Sequence, residues 1–85
     1  MYRIIVSQSA EKEMGKLPAH VNRRIEVAIN ALANNPRPHG CKKLKGTYEP
    51  TWRIRVGDYR IVYSIDDAIK IIDIRKVGHR KNIYE

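Results

Sequence analysis

Disulfides are excluded at once. Cys41 is the only cysteine among 85 residues, and a single thiol has no partner within its own chain. No signal-peptide pattern opens the sequence either, so a reducing, cytoplasmic setting is expected. Carboxylates are scarce, nine against seventeen lysines and arginines. No His, Cys, Asp or Glu cluster has metal-ligand spacing, so neither a metal nor a cofactor is expected. No apolar run approaches the roughly 20 residues of a membrane helix, and no membrane partner is expected. What remains is one small domain, residues 1–85, of ordinary hydrophobic content at 42%. Its net charge of +8 and pI near 9.9 call for a polyanionic partner.

The most informative stretch is Trp52-Arg53-Ile54-Arg55-Val56-Gly57-Asp58-Tyr59-Arg60-Ile61-Val62-Tyr63. Apolar and basic residues alternate, Gly57-Asp58 interrupts, and alternation resumes. That pattern predicts a β-hairpin with a two-residue turn. Counting back from the turn sets Val56 against Tyr59, Arg55 against Arg60, Ile54 against Ile61, Arg53 against Val62 and Trp52 against Tyr63. One face is then apolar and ready for burial. The other carries Arg53, Arg55 and Arg60. Like charges opposite one another destabilise a sheet, so this face suggests an anion, and the planar fork of arginine suits phosphate.

In chain order, residues 2–6 read as a strand. Ser7 or Ser9 can cap a short helix striped by Ala10, Met14 and Leu17. Pro18 begins a second helix, striped by Val21, Ile25, Ala28, Ile29 and Leu32 and ended by Asn34-Asn35-Pro36. The short joint implies an antiparallel helix hairpin. From Asn35 to Pro50 the chain reads as loop, with Lys42, Lys43 and Lys45 either solvated or in contact with a phosphate backbone and Leu44 as its anchor to the core. After the hairpin, Asp66-Asp67 reads as a second tight turn and residues 68–77 as the last strand. That register sets Arg60 beside Asp73, Ile61 beside Ile72 and Tyr59 beside Ile74. The expected fold is α+β: an N-terminal strand, the helix hairpin, then a three-stranded antiparallel meander, all in one sheet packed on the helices. The first strand could lie beside the last, parallel to it.

Gly78 is expected to release the chain from the sheet, leaving His79, Arg80 and Lys81 near its edge and Tyr84 at the end. Histidine can exchange protons near neutrality, whereas arginine stabilises charge and is a poor base. Histidine, tyrosine and several arginines meet the needs of RNA cleavage by its own 2′-hydroxyl. That reaction needs a base, an acid and donors for the phosphorane.

Three segments in order carry a family resemblance: Lys43-Leu44-Lys45-Gly46, the hairpin, and Val77-Gly78-His79-Arg80-Lys81-Asn82-Ile83-Tyr84. Together they resemble the RelE branch of the RelE/ParE toxin superfamily. The resemblance implies the toxin of a type II toxin–antitoxin pair, a metal-independent, ribosome-dependent endoribonuclease that cleaves mRNA in the A site. It implies as partners a cognate antitoxin from the neighbouring gene, the ribosome and mRNA, and operator DNA only through the antitoxin complex. The family's active-site positions fall on Arg53, Arg55, Arg60, Arg80 and Tyr84, with Lys45 as the basic residue before the hairpin. Founding members carry lysines where this chain has Arg53 and Arg55, which leaves His79 as the substitute acid or base. Lys42, Lys43, Lys45 and Lys81 would add attraction for RNA. Two alternatives share the fold: a ParE-type inhibitor of DNA gyrase, and a non-catalytic nucleic-acid-binding relic.

Overall fold

Ser7 turns the first strand into the first helix. Its hydroxyl accepts the Ala10 N–H at 3.1 Å, satisfying one of the donors a helix start leaves open. The computed structural model describes residues 1–45 and 49–81. In it β1 (Arg3–Val6) precedes α1 (Gln8–Gly15), and Pro18 caps α2 (Ala19–Leu32). Val21, Ile25, Ile29 and Leu32 of α2 are buried, as their spacing predicts. The remaining elements are β2 (Lys42–Leu44), β3 (Thr51–Val56), β4 (Tyr59–Asp66) and β5 (Ile71–His79).

The five strands form one sheet in the order β1-β5-β4-β3-β2. β1 runs parallel to β5 and every other pair is antiparallel, so the sheet is mixed and larger than the meander expected. The core lies between its inner face and the helices. Ala10, Ile25, Ile61, Tyr63, Ile72, Ile74 and Val77 are fully buried there. Beyond the end of β1, the Val77 N–H of β5 has no strand among the described residues to pair with. The Glu13 carboxylate of α1 accepts it at 3.2 Å, and a buried N–H left without an acceptor would be costly.

The β3–β4 hairpin has the expected register at every pair from Trp52–Tyr63 to Val56–Tyr59. Gly57 takes φ +59° while Asp58 keeps a negative φ, the arrangement in which glycine leads a two-residue primed turn.

Three expectations are corrected. First, residues 42–44 are not loop but the edge strand β2, paired with Thr51–Arg53. Leu44 packs with Val62 on the outer face, apart from the main core. Second, the Asp66-Asp67 turn is longer than two residues. The Asp66 carboxylate accepts the N–H groups of Ala68 and Ile69 at 3.0 and 3.2 Å, and Lys70 takes φ +56°. The last strand therefore starts at Ile71, not Ala68. Third, a bulge interrupts β5: Tyr63 pairs with Ile74 but Val62 pairs with Lys76, leaving Arg75 extra. The longer turn, by four residues, and the bulge, by one, together set Arg60 opposite Gly78, not Asp73; Ile61 faces Val77; and Tyr59 faces His79. Gly78 thus lies within the strand. Asp73 faces Ser64 and meets Arg75 Nε at 3.3 Å.

Candidate nucleic-acid interface

Alternation along β3 and β4 presents Arg53, Arg55 and Arg60 on the outer face, away from the helices. Arg55 lies directly opposite Arg60, and Arg60 directly opposite Gly78 of β5. In the next row Lys42, Arg53, Val62 and Lys76 follow one another across four strands. The face is less open than expected. Arg53 is only 3% exposed, Arg60 is half-buried and Arg55 is exposed. Arg53 is thus a floor residue and Arg55 a surface one.

Beyond His79 the chain stays tied to the hairpin, for the Arg80 N–H donates to the Asp58 carbonyl at 2.9 Å. Arg80 itself lies just past the end of β5 and is exposed. The bulge turns His79 away from the arginine face. Its ring meets Tyr59 edge-on, with centroids 5.5 Å apart and planes at 80°. Its Nδ1 accepts the Lys81 N–H at 3.2 Å. The structure places Arg53, Arg55 and Arg60 on one face, ties the Arg80 backbone to the hairpin turn, and leaves His79 on the opposite side of the strand. Tyr84 lies outside the described residues.

The lysines divide in the same manner. Lys42 opposes Arg53 and shares its face. Lys43 opposes Trp52, and its ammonium sits 5.9 Å from that ring. Lys45 and Lys81 are exposed at the margins. Lys76, which the sequence-based register does not place on this face, belongs to it. The trace it leaves in the sequence is a broken period: Ile72, Ile74 and Val77 are spaced by two and then three, as a bulge requires.

A groove of about 770 Å³ borders this face along the outer edge of β3. Arg53, Arg55 and Lys42 line one side, Ala28 and Ala31 of α2 the other, with His39 and Cys41 between them. At the tip, the Arg24 guanidinium of α2 lies over Gly57, 3.4 Å from where a Cβ would stand. Among the described residues no group of three His, Cys, Asp or Glu side chains could hold a metal ion. Among the same residues no helix is long and apolar enough to cross a membrane.

The far end of the sheet is built differently. Arg37 donates through both terminal nitrogens to Asp67, at 3.3 and 2.8 Å, and Tyr2 donates to the same carboxylate at 2.6 Å. The Arg37 guanidinium also stacks on Trp52 at 5.0 Å. These bonds hold the Asp67 carboxyl below the usual carboxylate range.

Comparison with known proteins gives this arrangement its class. The family model for the ParE toxin of the type II toxin–antitoxin system, parDE, matches residues 4–84. Toxin RelE3 of Methanocaldococcus jannaschii is 33% identical over 87 residues, covering 98% of this chain and 96% of the relative. Toxin RelE of Mycobacterium tuberculosis is 31% identical over 84 residues, covering 98% and 86%. Among solved structures, the archaeal RelE–RelB complex from Pyrococcus horikoshii OT3 contains a chain that superposes with a TM-score of 0.82 at 31% identity. That match covers 96% of this chain and 98% of the other. The chain belongs to the RelE/ParE superfamily of type II toxin–antitoxin toxins, and within it to the RelE-type branch.

Proposed function

We propose that this toxin is a ribosome-dependent endoribonuclease that cuts mRNA in the A site. The observation that carries the proposal is the direct opposition of Arg55 and Arg60, beside Arg53 and Arg80, on a face where folding alone disfavours such charge. An RNA phosphate bound there would convert repulsion into charge-assisted hydrogen bonding. In the reaction the 2′-oxygen attacks the adjacent phosphorus and the bond to the 5′-oxygen breaks. The products are a 2′,3′-cyclic phosphate and a 5′-hydroxyl. A base takes the 2′ proton and an acid returns one to the leaving oxygen.

Arg60 and Arg80 are assigned to the scissile phosphate and the charge that builds on it. Arg55 holds a flanking phosphate, and buried Arg53 supplies fixed positive charge beneath the site. His79 is the candidate acid or base, although its strand position turns it away from the arginines. Tyr84 would stack on a base or orient the 2′-hydroxyl. Lys42 adds attraction for RNA on the arginine face, while Lys43, Lys45 and Lys81 act from its margins. The partner that restrains the toxin is a cognate antitoxin, since the similar RelE proteins are known in complexes with RelB. The site of action is the cytoplasm, where mRNA is translated.

Primer extension on translated mRNA tests this, with wild type, Arg60→Ala and His79→Ala. Ribosome-dependent 5′ ends that vanish in Arg60→Ala support the assignment; unchanged cleavage by both variants refutes it. A second reading, inhibition of DNA gyrase, is favoured by the ParE description of the matching family model. A gyrase supercoiling assay separates the two.

A further inference from the structure

We infer that Lys76 is an additional RNA-phosphate ligand of this face, placed there by the β5 bulge. This rests on the proposal that the arginine face binds RNA. Without the bulge, Arg75 and Lys76 would point to opposite sides of the sheet. With it, both lie on the outer side and share the place opposite Val62. Their environments then diverge. Arg75 Nη2 donates to both Glu49 carboxylate oxygens at 2.9 and 2.8 Å and to Ser64 Oγ at 3.2 Å. Its Nε lies 3.3 Å from Asp73. The nearby acids therefore surround Arg75. Lys76 is exposed and takes no part in that network.

Lys76 continues the row that begins with Lys42 and Arg53. In β5 it stands two residues before Gly78, which faces Arg60, and Arg80 follows two residues after that glycine, just beyond the strand. Gly78 contributes no side chain between them. Arg60, Lys76 and Arg80 thus bracket one glycine, a spacing suited to a phosphodiester chain crossing β5. An ammonium is a compact point charge with three donors, and it binds phosphate without the directional demand of arginine.

The test compares wild type with Lys76→Gln, Lys76→Arg and, as a charge control on α1, Lys12→Gln. The first readout is binding of a single-stranded oligoribonucleotide across a range of salt concentrations. The second is kcat/KM for cleavage on programmed ribosomes. Lys76→Gln should weaken RNA binding about threefold to tenfold and lower the log–log salt slope by about 0.7, the value for one phosphate contact on a single strand. Lys76→Arg should restore both, and Lys12→Gln should leave the slope at its wild-type value. Loss of kcat/KM in Lys76→Gln should appear in KM. An unchanged slope and affinity in Lys76→Gln would overturn the inference. If wild type binds RNA but never cleaves, the nuclease proposal fails, and the salt slope alone still decides Lys76.

Discussion

Arg55 and Arg60 face each other directly across the β3–β4 ladder, and Arg60 in turn faces a glycine. An opposed like-charge pair on a sheet costs roughly 0.2–1 kcal/mol. Replacing Arg55 with Thr removes the repulsion and adds a β-branched residue suited to a strand. Arg55→Thr should therefore raise stability by about 0.5 kcal/mol, read as a higher urea midpoint with an unchanged m-value. Ribosome-dependent cleavage by the same variant should fall. Stability and activity moving in opposite directions is the signature of a site kept at the expense of the fold.

Gly57 is the one residue of the hairpin turn with positive φ, at +59°. A Cβ there would meet the Arg24 guanidinium only at ordinary contact distance, so the cost of alanine is conformational. Gly57→Ala should destabilise by about 1–2 kcal/mol, measured by thermal unfolding. An alanine variant as stable as wild type would mean that the turn is not of this type.

The buried Tyr63 hydroxyl donates to the Pro36 carbonyl at 2.7 Å, tying the segment after α2 to the sheet. Tyr63→Phe should cost about 1 kcal/mol near neutral pH. Burial pushes the phenol above its usual range. A folded-state pKa above the unfolded value gives stability that is complete below the unfolded pKa of about 10. It is lost as pH rises beyond that towards the folded value. Wild type should therefore lose stability in alkaline solution faster than Tyr63→Phe, as urea titrations above about pH 10 would show.

Asp67 has the opposite sign. The Arg37 guanidinium, then the Tyr2 hydroxyl, lower its pKa. Its contribution is present above the unfolded carboxylate value of about 3.9 and disappears as pH falls through the lower folded value. The group is exposed, so salt weakens it. Asp67→Asn should reduce stability at pH 7, and the gap to wild type should close in acid. A gap of constant size from neutral pH to about pH 2 would contradict this.

The hairpin is the part of the fold most legible in the sequence. Strict alternation and Gly57-Asp58 fix both its register and its arginine face. The β4–β5 pairing is less legible because two local events intervene. Asp66 folds back on the amides of Ala68 and Ile69, and Arg75 inserts a bulge held by Glu49, Ser64 and Asp73. The longer turn moves the register by four residues and keeps each side chain on its expected face, whereas the bulge adds one and reverses the faces beyond it, which is why Lys76 joins the arginines and His79 leaves them. β2 is too short at three residues for a period to show. The burial of Arg53 depends on a neighbouring strand that the residue pattern does not announce.

Chemical analysis of mRNA ends after incubation with translating ribosomes tests the central claim most directly. Wild type should generate new fragments with 5′-hydroxyl and 2′,3′-cyclic phosphate ends at A-site codons. Arg60→Ala should reduce their yield by at least about a hundredfold, the effect of removing one donor to transition-state charge. Intact mRNA with wild type, or equal yields from wild type and Arg60→Ala, would contradict that claim.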